Sequence, residues 1–187
     1  MMNNMETVAD AKLSTAISKF GGSSMYFDGT GDYLSIPINP SLIFGTGDFT
    51  IETWIYLPSV SGNFGIVGMG SGGFFAQVNS GNNIHVSQAD VVDLADFAIS
   101  PTLSANTWYH FAMTRSGTSM KAFINGIQQG STVTNSTNFI GTNAVLVGGH
   151  PGGIILYSGY MDDFRITKGY ARYTSNFTPP TSALFLY

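Results

Sequence analysis

The sequence predicts an all-β chain, an antiparallel sandwich of two curved sheets. Three observations lead there. Short apolar runs recur along most of the 187 residues, bounded by Gly, Pro, Ser and Asn, at the spacing of a meander. Charged residues make up only 10% while glycine holds 23 positions, so the Lys, Glu and Arg that cover solvated helices are scarce. Asn125-Gly126 stands between two such runs, and a type I′ hairpin turn needs the φ > 0 at both centres that Asn-Gly supplies readily. About ten to twelve short strands in one sheet would leave an apolar face in water, so they must close into a sandwich or jelly roll. No repeat of fixed period points to a propeller or β-helix.

Taken in order, the polar residues Met1 to Thr7 read as a loose tail or an arm that orders on a partner. Ala9, Leu13, Ala16, Ile17 and Phe20 fall near helical spacing, which predicts a short amphipathic helix over 9–20. From Ser23 the period becomes two. Met25 and Phe27 face one way and Tyr26 the other, a DGTGD turn spans 28–32, and Leu34 and Ile36 resume the alternation before Pro37. Over 49–57, Phe49, Ile51, Thr53, Ile55 and Leu57 share one face while Glu52, Trp54 and Tyr56 share the other, so both faces are partly covered. Runs at 65–69, 73–78 and 83–87 are further strands. Over 88–101, Asp90, Asp93 and Asp96 lie three apart, which fits one helical turn or an irregular crossing loop. Strands follow at 108–115, 119–124, 127–130, 144–149 and 158–169, the last alternating imperfectly through Tyr160, Asp162, Phe164 and Ile166.

Composition also excludes function classes. A net charge of −4 lacks the basic footprint that attracts a phosphate backbone, so nucleic acid is not an expected partner. No apolar run is long enough to cross a bilayer, and the start has no basic segment followed by an apolar core, so a membrane is not expected either. The absence of cysteine removes disulfides, thiolate zinc sites and thiol nucleophiles. His85, His110 and His150 lie in separate blocks, and the only glutamates, Glu6 and Glu52, have no acid two or three residues on. No nucleophile with a base in register is therefore expected.

Four blocks, KFGGSSMYFDGTGDYLSIP (19–37), GDFTIETWIYL (47–57), NTWYHFAMTRSGTSMKAFINGIQQG (106–130) and YSGYMDDFRITKGYARYTSNFTPP (157–180), carry a resemblance in their order and spacing. From Lys19 to Pro180 the chain resembles the laminin-G-like branch of the concanavalin A-like lectin/glucanase jelly rolls. The wording of the first and last blocks is similar to domains of tail fibres and other structural proteins of tailed bacteriophages. The resemblance implies a sandwich of roughly fourteen strands. It also implies that 1–18 is an N-terminal arm or leading strand ahead of a domain over 19–187, in place of the helix.

Further expectations rest on the same resemblance. A structural calcium ion would sit at the rim between Asp28 and Asp32 in the turn and Asp162 in the acidic pair, with glycine carbonyls and water completing its oxygen shell. Asp-Gly and Gly-Asp also form turns with no ion, so turn and metal site both stand open. The E-x-D-x-x-E pattern of the family's glucanases is missing, which implies a non-catalytic domain. The implied role is a virion structural, decoration or fibre module in the phage particle, contacting other virion proteins, copies of itself or host surface glycan. The alternative is a secreted or cell-surface carbohydrate-binding lectin. Trp54, His150 in a VGGHPGG rim loop, Tyr157 and Tyr160 are the candidate sugar contacts, since aromatic faces stack on sugar rings. A polysaccharide depolymerase would need Asp90 or Asp93 to converge with Asp163.

Overall fold

The computed structural model describes residues 4–150 and 152–184. In these, fourteen strands form two seven-stranded antiparallel sheets with no helix. The strands are β1 (Glu6–Val8), β2 (Lys12–Ser14), β3 (Ser24–Asp28), β4 (Tyr33–Ile36), β5 (Phe49–Tyr56), β6 (Phe64–Met69) and β7 (Phe74–Val78). They continue as β8 (Asn83–Gln88), β9 (Val92–Ala98), β10 (Trp108–Ser116), β11 (Ser119–Ile124), β12 (Ile127–Thr134), β13 (Val145–Val147) and β14 (Ser158–Lys168). One sheet runs β1-β4-β13-β6-β7-β8-β9 and the other β12-β11-β10-β5-β14-β3-β2. The sandwich and the Asn125-Gly126 hairpin are therefore as expected.

The core lies between the sheets. Phe49, Ile51 and Ile55 of β5 are fully buried there, and Phe49 stacks on Phe44 and meets Phe74 and Phe139 edge-on. The other face of β5 is covered too. Residues 169–184 cross the outer surface of its sheet, where Tyr173 and Phe177 stack at 3.5 Å and press against His110 and Phe123. Phe177 N–H donates to Gly126 O at 2.9 Å. Gly126 has φ +76°, and a Cβ there would lie 1.9 Å from the Phe177 carbonyl oxygen, so the hairpin's glycine serves both turn and crossing chain.

Two segments differ from the residue-level reading. No helix forms over 9–20. Lys12–Ser14 pair with β3 instead, and Leu13 is 71% exposed, so the helical spacing of apolar residues marks no buried face. Glu6–Val8 pair with β4, so 6–8 and 12–14 supply one edge strand to each sheet. Of the tail expected at Met1–Thr7, residues 1–3 lie outside the described residues. Over 88–101 the chain is neither a helical turn nor an irregular loop but contains β9. A bulge opposite Val86 and Ser87 inserts Leu94, which brings Asp93 and Asp96, three apart, onto the same side against His85.

A second bulge explains the imperfect alternation of β14. Asp162 pairs with Trp54 but Arg165 pairs with Glu52, so three steps on β14 match two on β5, and Asp163 takes φ +51°. The bulge re-aims Arg165 onto Glu52.

Candidate functional site

Asp28, Asp32 and Asp162 each hold backbone N–H groups. Asp28 Oδ1 accepts from Thr30 N–H at 2.6 Å, closing the turn. Asp32, fully buried, accepts from Asp10 N–H on Oδ1 and from Asp28 N–H on Oδ2, both at 2.8 Å. Asp162 Oδ2 accepts from Lys19 N–H at 2.9 Å and Phe20 N–H at 3.0 Å, and its Oδ1 from Asp163 N–H at 3.0 Å. Among the described residues no group of three or more acids or histidines is placed to hold a metal ion. Backbone amides take one acceptor site of Asp28, two of Asp32 and three of Asp162, so each carboxylate has a structural task that needs no ion. Melting temperatures in EDTA and in calcium are accordingly expected to coincide, and a calcium-dependent rise lost in Asp32→Ala would restore the metal site.

The aromatic candidates are dispersed. Tyr157 is fully buried, edge-on to Phe27, with its hydroxyl donating to Tyr56 O or Tyr160 O and accepting from Tyr56 N–H. Burial raises its pKa well above the usual phenol value. It is a core residue and offers no face to a sugar. His150 sits at no loop tip. It is buried edge-on against Phe75 at 4.5 Å, with Nε2 3.8 Å from Asp90 Oδ1. Tyr160 is half-buried between Tyr26 and Tyr56. Trp54 alone of the four borders the cleft described next.

That cleft, of about 470 Å³, is lined by Trp54, Trp108, Lys19, Phe20 and Asn125, with 178–181 of the crossing chain forming the opposite wall. The register aligns Trp108 with Tyr56 and His110 with Trp54, which puts both indoles on the outer face of one sheet. Lys19 Nζ lies 3.9 Å from the Trp54 ring centroid and 5.6 Å from that of Phe20, which meets Trp54 edge-on. Asn125 Oδ1 accepts from His110 N–H at 2.9 Å, so its carboxamide is oriented at the rim. Trp108 was legible as an aromatic opening a strand. Lys19, Phe20 and Thr178–Thr181 were not, because hydrogen bonds to Asp162 and the path of the C-terminal segment place them.

Next to the cleft, Glu52 is 1% exposed. Arg165 Nε and Nη2 donate to Oε1 at 2.8 and 2.6 Å, Tyr173 hydroxyl donates to Oε2 at 2.7 Å, and His110 Nε2 stands 3.3 Å from Oε2. Burial alone would raise the Glu52 pKa, but the hydrogen bonds from His110, Tyr173 and Arg165 outweigh it and lower it. Burial and the same carboxylate push Tyr173 up. The acids named for a depolymerase do not share a site. Asp90 pairs with His150 and Asp93 with His85 on β8, whereas Asp163, on β14 of the other sheet, accepts from Leu184 N–H at 2.9 Å.

The laminin-G-like sequence profile described as the concanavalin A-like lectin/glucanases superfamily matches residues 28–172. The chain belongs to that superfamily. No curated protein sequence matches it. Among solved structures, this lectin/glucanase sandwich is similar to the botulinum neurotoxin serotype D/C VPI 5993 binding domain, with TM-score 0.64 and 15% identity over 90% of this chain and 44% of that one. A structure of botulinum neurotoxin type C, whose cell entry depends on interaction with two ganglioside molecules, gives TM-score 0.62 and 16% identity, covering 90% of this chain and 44% of that one. A Bacteroides ovatus ATCC 8483 protein, assigned as carbohydrate binding, gives 0.57 and 16% over 92% and 45%. The superfamily domain described here thus spans less than half of each of these chains, and at such identity the likeness is one of fold.

Proposed function

We propose that the chain is a non-catalytic, glycan-binding module whose sugar site is the cleft between Trp54 and Trp108. The observation that carries this reading is the cleft's composition. Trp108 supplies an apolar face for a pyranose ring, while Asn125, Thr178 and Thr181 supply polar groups for hydroxyls. Trp108 is the stacking platform, since Trp54 is only 7% exposed and its face carries the Lys19 ammonium. The gangliosides and carbohydrate named for structures of similar fold support the reading. The enclosure of Glu52 by Arg165, Tyr173 and His110 supports a non-catalytic role, because a carboxylate held that way presents no free acid or base to a substrate.

Trp108→Ala is expected to fold normally and to weaken glycan binding about tenfold, the effect of losing one stacked ring. An array of bacterial and host-surface glycans, probed with both proteins, checks this. Retention of no glycan by the native chain, or equal retention by the variant, would overturn the assignment.

The module is further proposed to work in a tailed-phage particle, as a fibre or decoration protein contacting other virion proteins. The wording of the first and last sequence blocks, 19–37 and 157–180, supports this setting. An antibody to the chain should then label purified particles, and unlabelled particles from a strain that expresses the protein would refute it.

A further inference from the structure

We infer that the cleft selects acidic sugars, through Lys19 as a prepositioned cation for a pyranose bearing an anionic substituent. The inference rests on the glycan-binding reading and adds the ligand's charge.

Among the described residues, Lys19 is the one charged side chain lining the cleft, and no acid lines it. The other cations among the described residues are otherwise engaged. Arg165 is paired with Glu52, Arg172 donates to Thr167 Oγ1, and Arg115 is buried on carbonyls. Lys121 and Lys168 donate to the Thr174 and Pro40 carbonyls, and Lys12 lies over Tyr26 beyond the cleft. Lys19 forms no ion pair among the described residues, and its ammonium contacts only the rings of Trp54 and Phe20. Asp162, the acid that binds its backbone, is already occupied by three N–H groups.

A lysine normally pays side-chain entropy to hold one position. Here the Lys19 and Phe20 amides are fixed by Asp162 and the ammonium is fixed by the Trp54 face, so much of that ordering precedes binding. The ring quadrupole satisfies only one side of the ammonium and leaves its other hydrogens free for carboxylate or sulfate oxygens. Because lysine acts as a point charge, the site reads the anion and leaves the sugar's stereochemistry to Trp108 and Asn125.

The test compares sialyllactose with lactose, and trigalacturonate with its methyl ester, by titration calorimetry at low and high salt. A sulfated lactose arm distinguishes sulfate from carboxylate as the source of the charge. The native chain should prefer each acidic member by about tenfold at low salt, with the preference shrinking at high salt. In Lys19→Met, which keeps most of the apolar stem, the ratio should fall to about one, and Lys19→Arg should restore it. Matching melting temperatures show that each variant is folded. Equal binding of acidic and neutral members by the native chain, or an unchanged ratio in Lys19→Met, would overturn the acidic selectivity while leaving glycan binding in place. Binding of no saccharide would remove both readings together.

Discussion

Arg115→Met is expected to lower stability by about 3–5 kcal/mol, the largest effect of any single substitution proposed for this chain. Arg115 is fully buried on β10, yet no carboxylate among the described residues bonds to it. Its Nε donates to Gly47 O at 3.0 Å, Nη1 to Thr137 O at 2.7 Å and Asn135 Oδ1 at 3.3 Å, and Nη2 to Gly45 O and Gly47 O at 2.7 Å each. The guanidinium plane also lies 5.2 and 5.0 Å from the Phe49 and Phe139 centroids. Burial lowers its pKa and nearby Asp48 opposes that shift. One side chain thus joins two loops, before β5 and after β12, that otherwise meet through the paired amides of Gly45 and Phe139. Methionine can occupy the space but would leave the Gly45, Gly47 and Thr137 carbonyls without these donors. Lysine, with three donors on one atom, should recover only part of the loss. Urea unfolding checks the order native, lysine, methionine. A cost below about 1 kcal/mol for methionine would mean that water replaces the guanidinium.

Glu52→Gln is expected to cost about 2–3 kcal/mol near neutral pH and to flatten the loss of stability in acid. The sign follows from the depressed pKa of Glu52 in the folded chain relative to its ordinary 4.5. Its contribution is complete above that unfolded value and disappears as pH falls through the lower folded one. Protonation would leave Arg165 facing a neutral group and break the acceptor that holds the Tyr173 hydroxyl, so the crossing segment should loosen with it. Arg172 Nε, 3.9 Å from Oε1, and His110 also face the carboxylate, and Asp163 lies near enough to feel its charge. Denaturant unfolding of both proteins between pH 7 and pH 3 separates the contributions. The native chain should lose more stability than the variant over the acid part of that range, and parallel curves would show that Glu52 is not the group responsible.

The two predictions concern residues that the sequence treats very differently. Glu52 was visible on the outer face of its strand, because period-two alternation assigns faces without knowledge of partners. Its partners were not visible. Arg165 reaches Glu52 only because of the bulge after Asp162, and a one-residue insertion in a ladder leaves no compositional signal. Arg115 sits at the end of a strand, where a charged residue usually faces water, and its burial depends on loops far away in sequence.

The site shows the same division. Trp54 borders the cleft although it is as buried as His150, and Tyr157 lies wholly in the core, since an aromatic residue beside a glycine loop can face either way. Asp162 was singled out as a calcium ligand, and its Oδ2 accepts from the amides of Lys19 and Phe20, some 140 residues earlier in the chain. No spacing rule relates two positions so far apart.

Sequence alone determined the all-β sandwich, most of its strands, the Asn125-Gly126 hairpin and, through four ordered blocks, the superfamily. Those properties follow from local causes: side-chain alternation, turn chemistry and the need to bury one face of each strand. Tertiary structure alone decided that 6–8 and 12–14 join opposite sheets, that residues 169–184 cover a sheet, and that Lys19 stands over Trp54 beside Trp108. These depend on pairing and crossing between distant segments, where the hydrogen bonds and packing of the assembled sheets override local preference.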